Sequence, residues 1–182
     1  MTTLEIRRHS MRKSGGGSQL SQQGVAHARA LGAMLGPFAQ VVTSVLPRTR
    51  ETAIAMGFAV DYELVMLPAA PAVYAENERS RWWAATQPFA ALAQLLAERS
   101  AVWQHAHTIA AQWRDICTAI PTGSAALCIG HSGDLEMGLV ACFPDADHTA
   151  WGSPFGFCEG ARLHFTDHFA DVELVRQAVQ PG

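Results

Sequence analysis

The stretch Ala125-Ala-Leu-Cys-Ile-Gly-His-Ser-Gly133 combines a short buried-strand pattern with the beginning of a helix. An apolar run of about four to eight residues that ends at turn residues is consistent with a strand buried on both faces. His131 and the two small residues after it open a helix that we expect to reach about Cys142. The stretch therefore predicts a strand–helix unit of an α/β protein, with a histidine at the point where the strand ends.

Similar units lie on both sides of this one along the chain. Short apolar or β-branched runs predict strands at Leu4–Arg7, Gln40–Thr43 and Tyr62–Leu67. Helices follow the first two of these strands, from Ser21 to Gly36-Pro37 and over Arg48–Met56. Three later runs predict closing strands at Phe155–Glu159, Arg162–Thr166 and Val172–Arg176. This order predicts an α/β protein with a mostly parallel central sheet and helices on both of its faces.

The segment from Ala69 to Ile120 differs from the rest because it is alanine-rich and holds four of the five tryptophans. Two helices fit it, at about Pro88–Arg99 and Ala101–Ile120, and we expect a cap-like helical insertion over about residues 69–120, packed over the sheet edge. The tryptophans could line a ligand site, but packing of the cap is favoured. No internal repeat or domain boundary is visible, so residues 1–182 are expected to form one domain.

Composition and charge exclude several classes of protein. The 182 residues are 49% hydrophobic and 16% charged, which excludes a disordered or fibrous chain. The 13 Lys and Arg against 16 Asp and Glu give a net charge of −3, which argues against nucleic-acid and membrane-surface partners. The N-terminus lacks an apolar signal core, so we expect a cytoplasmic protein. The sequence makes no prediction about the oligomeric state.

Neither a metal site nor a cofactor site is predicted. The four cysteines form no C-x-x-C pair and have apolar neighbours, as expected of buried free thiols. His105 and His107 lie two residues apart on a predicted helix and therefore point away from each other. This spacing favours two surface histidines over a pair of metal ligands.

Basic and imidazole side chains follow three of the predicted strands. Arg8 and His9 follow the first strand, Arg48 comes shortly after the second, and His131 follows the strand at Ala125–Gly130. Ligands of such sheets bind beyond the carboxyl ends of the strands, so these side chains should meet at one edge. Arginines at a sheet end are costly to desolvate without a partner, and the pattern therefore predicts an anion site.

Four segments lie at these strand ends and helix starts: Arg8-His9-Ser10, Leu20-Ser21-x-x-Gly24, Thr43-Ser44-x-Leu46-x-Arg48-x-x-Glu51-Thr52-Ala53 and Gly130-His131-Ser132-Gly133. Together they resemble the histidine phosphatase (phosphoglycerate mutase-like) superfamily. The resemblance implies a three-layer α/β/α fold and a phosphohistidine intermediate on His9. It also implies that the phosphate pocket is completed by Arg8, Arg48 and His131. Further candidates for binding the substrate phosphate are Ser10, Arg12 and Ser132.

The chain departs from the family pattern at several positions. Ser10 replaces the glycine that commonly follows the nucleophile, Val45 replaces the usual proline, and Ser132 stands where many members carry glycine. Ser10 is expected to narrow the pocket mouth or to add a hydrogen bond. Arg7 occupies a position that is usually aliphatic, and our only account of it is an ion pair with Glu5 or with the C-terminal segment.

The leaving oxygen of a phosphate ester needs a proton as its bond breaks, a contribution of typically about 10²–10⁴-fold in rate. Related enzymes place a carboxylate for this purpose in the loop after the third strand, and Asn77-Glu78-Arg79 resembles a stretch of the mutases. Glu78 is therefore the first candidate for the general acid, Glu76 the second, and Asp134 a weaker alternative. Glu51 could instead orient the arginine one helical turn before it.

The resemblance implies a metal-independent phosphomonoester hydrolase that acts on a small phosphorylated molecule or a phosphoprotein. One alternative is a phosphotransferase of the phosphoglycerate mutase type, although the short chain leaves little room for loops that retain the product. Another is a phospho-ligand-binding or regulatory protein of low activity on the same fold. The complete set of Arg8, His9, Arg48 and His131 argues against this last alternative.

Overall fold

The computed structural model describes residues 1–64 and 70–177 of the chain. Within these residues it has six strands, which are β1 (Thr2–Arg8), β2 (Gln40–Ser44), β3 (Tyr62–Leu64), β4 (Ala125–Gly130), β5 (Gly160–Phe165) and β6 (Phe169–Val175). Its six α-helices are α1 (Gln22–Gly32), α2 (Pro47–Ala55), α3 (Pro71–Ser80), α4 (Pro88–Ala97), α5 (Ala101–Ala119) and α6 (Asp134–Cys142). None of these helices combines the length and the hydropathy needed to cross a bilayer.

The six strands form one sheet in the order β3-β2-β4-β1-β5-β6. The four strands from β3 to β1 run parallel, while β5 and β6 extend the sheet antiparallel beyond β1. The prediction of an α/β protein with a mostly parallel sheet is therefore confirmed. The carboxyl ends of β2, β4 and β1 lie side by side at one edge.

Side chains of the sheet face two separate cores. On β4, Ala126 and Cys128 belong to the core covered by α3, α4, α5 and α6, whereas Leu127 and Ile129 belong to a smaller core with α1 and α2. Successive side chains of a strand point to opposite faces, so a strand between two layers of helices must be apolar at every position. This explains the uninterrupted apolar run that predicts β4, and it gives a three-layer α/β/α architecture.

Local capping chemistry determines where several helices begin. Ser21 Oγ accepts a hydrogen bond from Gly24 N–H at 3.0 Å and caps α1, as the sequence predicts. Helices α2, α3 and α4 begin with a proline, whose missing N–H would have no partner in the first turn. Arg48 therefore lies in the first turn of α2, immediately beyond the end of β2.

The segment predicted as a helical cap forms much of one outer layer. Helices α4 and α5 lie close to their predicted bounds, and the buried Trp82 and Trp113 belong to the main core, as the sequence favours. The sequence reasoning misses α3 and places a loop there. Val73 is the one buried residue of α3, so the amphipathic pattern that marks a helix is weak.

Two predicted strands need correction. The segment Phe155–Glu159 is not a strand: it is a loop before β5 in which the backbone of Phe155 binds the side chains of Glu136 and Arg8, while Cys158 and Glu159 pair with the backbone of Arg8 at the end of β1. The predicted strand Tyr62–Leu67 is β3, which ends at Leu64 in the described residues, and positions 65–67 lie outside them.

A buried ion-pair network joins β1 to β5 and to the loop before it. Arg7, which is 3% exposed, contacts Glu5 through Nε at 2.7 Å and Nη2 at 2.6 Å, and its Nη1 donates to Cys158 O at 2.8 Å. Arg162 of β5 donates to the other carboxylate oxygen of Glu5 at 2.9 Å. The expected ion pair between Arg7 and Glu5 is therefore present, and Arg7 acts as a structural residue of the sheet.

Glu5→Ala is expected to lower the free energy of unfolding by about 3–5 kcal/mol, because it leaves the buried Arg7 without its counterion. Glu173 provides a matched control, since it contacts Arg162 with a side chain that is 60% exposed. Glu173→Ala should cost about 1 kcal/mol or less. Urea unfolding of both variants measures the difference, and equal losses would contradict the importance of the buried pair.

Candidate active site

Two histidines leave neighbouring strands at the same edge of the sheet. The register of β1 and β4 sets Arg8 opposite Gly130, and His9 N–H donates to Gly130 O at 3.0 Å. The rings of His9 and His131 consequently lie 5.4 Å apart, measured between their centroids. The structure thus brings together the two histidines that the sequence places at strand ends.

One hydrogen bond determines which nitrogen of His9 can react. Nδ1 lies 2.7 Å from Ser10 O, and because a carbonyl oxygen only accepts, Nδ1 carries the proton. Nε2 of the neutral ring therefore has a free lone pair. Burial, followed by the nearby charges of His131, Arg48 and Arg8, lowers the pKa of His9 to about 4. At neutral pH His9 is a neutral imidazole with Nε2 available as a nucleophile.

The ring of His131 is held through one of its nitrogens. Nε2 lies 2.8 Å from Ser44 Oγ, and that hydroxyl is fixed by Thr49 Oγ1 at 2.9 Å and by Leu46 N–H at 3.3 Å. The other nitrogen, Nδ1, is buried and has no partner among the described residues. Burial and the charge of Arg48 lower the pKa of His131 to about 4. An oriented, neutral ring with one unsatisfied buried nitrogen indicates a ligand atom at this position.

Arg8 and Arg48 bring two positive charges whose partners are neutral oxygens. Arg8 Nη1 donates to Phe155 O at 2.7 Å, and Arg48 Nη1 donates to Ser18 Oγ at 3.1 Å. The Nε of each guanidinium is buried, and none of the described residues pairs with it. Burial lowers the pKa of both arginines. Partly buried cations with unused donors indicate an anion site, and guanidinium groups suit phosphate oxygens.

A buried carboxylate positions the loop that binds Arg8. Glu136 of α6 is fully buried and accepts hydrogen bonds from Phe155 N–H at 2.7 Å, Gly133 N–H at 2.5 Å and Ser132 Oγ at 3.1 Å. Phe155 in turn accepts from Arg8, so Glu136 connects the start of α6 with this arginine. The sequence reasoning missed Glu136. Its one signal is its place three residues after Gly133, where a capping glutamate is favoured.

The other predicted phosphate ligands occupy different positions. Ser10 is fully buried, its hydroxyl donates to Gly24 O at 2.8 Å and its N–H donates to Thr52 Oγ1 at 3.0 Å. Ser10 thus adds a hydrogen bond inside the protein, which is one of its two expected effects, and its hydroxyl and N–H are both used there and not in the anion site. The hydroxyl of Ser132 donates to the buried carboxylate described above. Arg12 is exposed, but its charge contributes to the lowered pKa of both site arginines, so it lies near the pocket.

Phe157 covers part of the site, and the sequence reasoning missed it. Its ring centroid lies 4.5 Å from Cζ of Arg8 and 5.9 Å from the ring centroid of His9. An aromatic face over a guanidinium is attractive and helps to hold Arg8 in place. Phe157 belongs to the loop that resembles a strand in its composition, and nothing in that pattern distinguishes it from an ordinary core residue.

A cavity of about 470 Å³ opens beside His131. Its wall includes Arg48 and His131, which belong to the anion site described above. It also includes Asn77 of α3, His105 of α5 and Asp134 of α6. The volume falls within the range of about 300–1,000 Å³ that is usual for small-molecule sites. A cavity of this size beside the anion site can hold a small organic group.

The glutamates predicted as proton donors do not line this cavity. Glu76 accepts hydrogen bonds from Ala101 N–H at 3.3 Å and Val102 N–H at 3.0 Å, so its carboxylate caps α5. Glu78 is exposed on α3. Consecutive residues of a helix project in different directions, so Asn77 can face the cavity while Glu78 does not. The position of neither glutamate supports the predicted role of general acid.

His105 is a cavity residue, and the expectation of a surface histidine is wrong. Its side chain is 13% exposed, and its Nε2 lies 2.9 Å from Asp134 Oδ1. His107 is exposed, so the two histidines do point apart, but only one of them reaches the solvent surface. An overlooked signal is that His105 lies three residues after Val102 and four before Ile109, both of which are buried.

The remaining charged residues of α2 point away from the phosphate pocket. Arg50 donates from Nε to Glu63 of β3 at 2.6 Å. Glu51 accepts a hydrogen bond from Leu20 N–H at 2.6 Å and thereby anchors the segment before α1. The sequence left open that Glu51 orients Arg48. In the structure Glu51 binds Leu20 N–H instead.

The cysteines form no disulfide among the described residues. All four cysteines are free thiols, and three of them are buried, in agreement with the sequence. Within residues 1–64 and 70–177, no three His, Cys, Asp or Glu side chains cluster in a way that could hold a metal ion. Independence from metal ions stays a prediction for experiment.

Residues 4–70 match the family model of the histidine phosphatase superfamily (branch 1), which confirms the resemblance. A comparison with curated proteins gave no match. Solved structures, in contrast, match almost the whole chain at low sequence identity. The phosphoserine phosphatase of Entamoeba histolytica is 14% identical with a TM-score of 0.68, over 97% of this chain and 98% of that one.

Two further solved structures show the same likeness. The phosphoglycerate mutase of Bacillus anthracis is 16% identical with a TM-score of 0.65, over 96% of this chain and 92% of that one. A putative phosphohistidine phosphatase SixA of Agrobacterium tumefaciens is 16% identical with a TM-score of 0.54, over 100% of this chain and 99% of that one. At such identities these likenesses show the shared phosphoglycerate mutase-like fold.

Arg48→Ala is expected to lower kcat/KM for a phosphate monoester by about 10²–10³-fold, because it removes fixed donors to the transferring group. Arg50→Ala is the matched control, since it lies on the same helix two residues away and pairs with Glu63. It should leave kcat/KM nearly unchanged. Steady-state hydrolysis of p-nitrophenyl phosphate measures both, and the reverse ranking would contradict the placement of Arg48 in the pocket.

Proposed function

Since residues 4–70 of this chain match the family model of the histidine phosphatase superfamily, we propose that the chain hydrolyses phosphate monoesters through a phosphoryl group carried on His9 Nε2. One observation carries the proposal: the hydrogen bond from His9 Nδ1 to Ser10 O leaves Nε2 unprotonated among buried donors that lack partners in the described residues. Phosphoryl transfer requires mainly positioning and electrostatic stabilisation, and this arrangement supplies both.

In the first step Nε2 of His9 attacks the phosphorus atom of the ester. The P–N bond forms while the bond to the leaving oxygen breaks, and negative charge stays on the three equatorial oxygens. Arg8, Arg48 and Nδ1 of His131 can donate to these oxygens. Their positions are already fixed by hydrogen bonds to Phe155 O and to the hydroxyls of Ser18 and Ser44, so little reorganisation is needed.

In the second step a water molecule attacks the phosphoryl group and the P–N bond breaks. Because Nδ1 of His9 keeps its proton in the hydrogen bond to Ser10 O, the ring leaves phosphorus as a neutral imidazole. The pKa of about 4 supports this step, since it means that the pocket favours the neutral ring over the charged one.

The form of the cavity supports hydrolysis rather than return of the phosphoryl group to the product. Its wall includes the apolar side chains of Val45, Leu46 and Tyr74, all of which are exposed within residues 1–64 and 70–177. A wall with exposed side chains favours early release of the dephosphorylated product and entry of water before a reverse transfer occurs. The volume of about 470 Å³ suits a small phosphorylated molecule as substrate.

The phosphoryl group should be found on His9 when turnover is stopped with alkaline denaturant. Intact-mass analysis is expected to show one phosphoryl adduct on the wild-type protein that survives base and disappears in acid, as phosphohistidine does. His9→Ala should carry no adduct, and the exposed His107→Ala should carry the same adduct as wild type. A full adduct on His9→Ala would refute the assignment of the nucleophile.

Removal of metal ions should leave kcat/KM unchanged, because arginines and a histidine already supply the stabilisation that a metal ion gives in other phosphatases. The measurement is hydrolysis of p-nitrophenyl phosphate after dialysis against EDTA, with dialysis against buffer alone as the control. Activity that disappears and returns with Mg²⁺ or Zn²⁺ would contradict the arginine-based mechanism.

A further inference from the structure

Two titratable side chains contact each other on the wall of the cavity beside His131. His105 of α5 and Asp134, the first residue of α6, are joined by a hydrogen bond of 2.9 Å between Nε2 and Oδ1. Their side chains are 13% and 23% exposed, and both line the cavity. The binding of the phosphoryl group, as described above, uses neither of them.

The proposed reaction requires a proton donor that the phosphate pocket does not contain. An alkoxide leaves phosphorus slowly unless it is protonated as its bond breaks, and a positioned acid contributes about 10²–10⁴-fold. His9 and His131 both have a pKa of about 4, so neither is an imidazolium with a proton to give at neutral pH.

The carboxylates of α3 are equally unsuited to this role. The hydroxyl of Ser100 and the N–H groups of Val102 and Ala101 lower the pKa of Glu76, so this residue is ionised and caps α5. Glu78 is exposed and is not part of the cavity wall. Besides Arg48 and His131, the titratable side chains of the cavity wall are those of Tyr74, His105 and Asp134, and of these His105 and Asp134 are joined to each other.

We propose that His105 is the general acid of this site and that Asp134 positions its ring. The inference rests on the proposed function, because it names the proton donor of that reaction. Asp134 Oδ1 accepts the hydrogen bond from Nε2–H, which leaves Nδ1 of His105 as the nitrogen that exchanges a proton. Histidine is the side chain most often used for this task, and a carboxylate on its other nitrogen is a recurring way to orient it.

The location of Asp134 supports its role as hydrogen-bond acceptor. It is the first residue of α6, and its Oδ1 lies 2.9 Å from Nε2 of His105, so this carboxylate oxygen is placed to accept from the ring and to hold it against the cavity wall. Asp134 follows His131 by three residues, so the same strand-to-helix turn carries a phosphate ligand and the partner of the acid.

The protons balance over the two steps. As Nε2 of His9 attacks, the bond from phosphorus to the ester oxygen breaks, and that oxygen takes the proton from Nδ1 of the protonated His105. The alcohol leaves, and His105 is neutral. Water then attacks the phosphoryl group, the P–N bond breaks, and His105 takes a proton from the water. Phosphate is released, and both histidines return to their starting states.

The test compares two substrates that are almost the same size. p-Nitrophenyl phosphate releases a stabilised phenolate that leaves without a proton, whereas p-nitrobenzyl phosphate releases an alcohol that needs one. Rapid-quench measurement of the first turnover gives the rate of phosphorylation of His9 by each substrate. His105→Gln removes the proposed acid, and His107→Gln is the matched control, because it lies two residues away on the same helix and is exposed.

We expect His105→Gln to slow phosphorylation by p-nitrobenzyl phosphate by about 10²–10⁴-fold and phosphorylation by p-nitrophenyl phosphate by less than about threefold. Asp134→Asn should produce the same selective loss to a smaller extent, since the ring is still present but less well oriented. His107→Gln should change neither rate. A role in packing alone would not separate the two substrates.

Equal losses with both substrates, in a variant that unfolds at the same temperature as wild type, would mean that the pair only holds α5 against α6. That result, or unchanged rates with both substrates, would overturn the inference. If His105→Gln does not fold, Asp134→Asn is judged by the same comparison and the same criteria. A wild-type protein that forms no phospho-His9 from p-nitrophenyl phosphate would instead refute the proposed function, before any variant is compared.

Discussion

Parallel pairing sets Arg8 of β1 opposite Gly130 of β4, and this register determines where the groups of the site lie. His9 and His131 leave adjacent strands side by side, and β2, on the other side of β4, ends at Ser44, which binds the ring of His131. Positive charge collects at this edge among neutral partners. Partial burial of cations whose hydrogen-bond partners are neutral is unfavourable, so this edge of the sheet is suited to an anion.

The groups of the site are held in place by residues that themselves have no part in the chemistry. Glu136 fixes the loop whose carbonyl binds Arg8, and Thr49 fixes the hydroxyl of Ser44. Behind them, the buried pair of Arg7 and Glu5 joins β1 to the antiparallel side of the sheet. Donors that are fixed before the substrate binds stabilise developing charge most effectively, because no free energy is spent on reorienting them.

Features that depend on local constraints could be predicted from the sequence. The apolar run of β4 and the residues directly after each parallel strand are of this kind, because burial and strand direction determine them together. Phe157 and His105 could not be predicted in this way, because their roles depend on contacts between separate parts of the chain. The loop of Phe157 has the composition of a strand, yet the backbone of its first residue, Phe155, binds the side chains of Glu136 and Arg8 in place of a strand partner. The role of His105 depends on how α5 packs on α6, which periodicity within one helix does not reveal.

The electrostatics that favour a phosphoryl group at His9 also prevent its neighbours from acting as acids. Burial and the two arginines lower the pKa of His9 and His131 to about 4, which keeps the nucleophile neutral and removes any proton it might give. The proton donor that we propose, His105, lies among other neighbours: its partner in the cavity wall is the carboxylate of Asp134. The proposed reaction thus assigns attack and protonation to two histidines that have different neighbours, arginines beside His9 and a carboxylate beside His105.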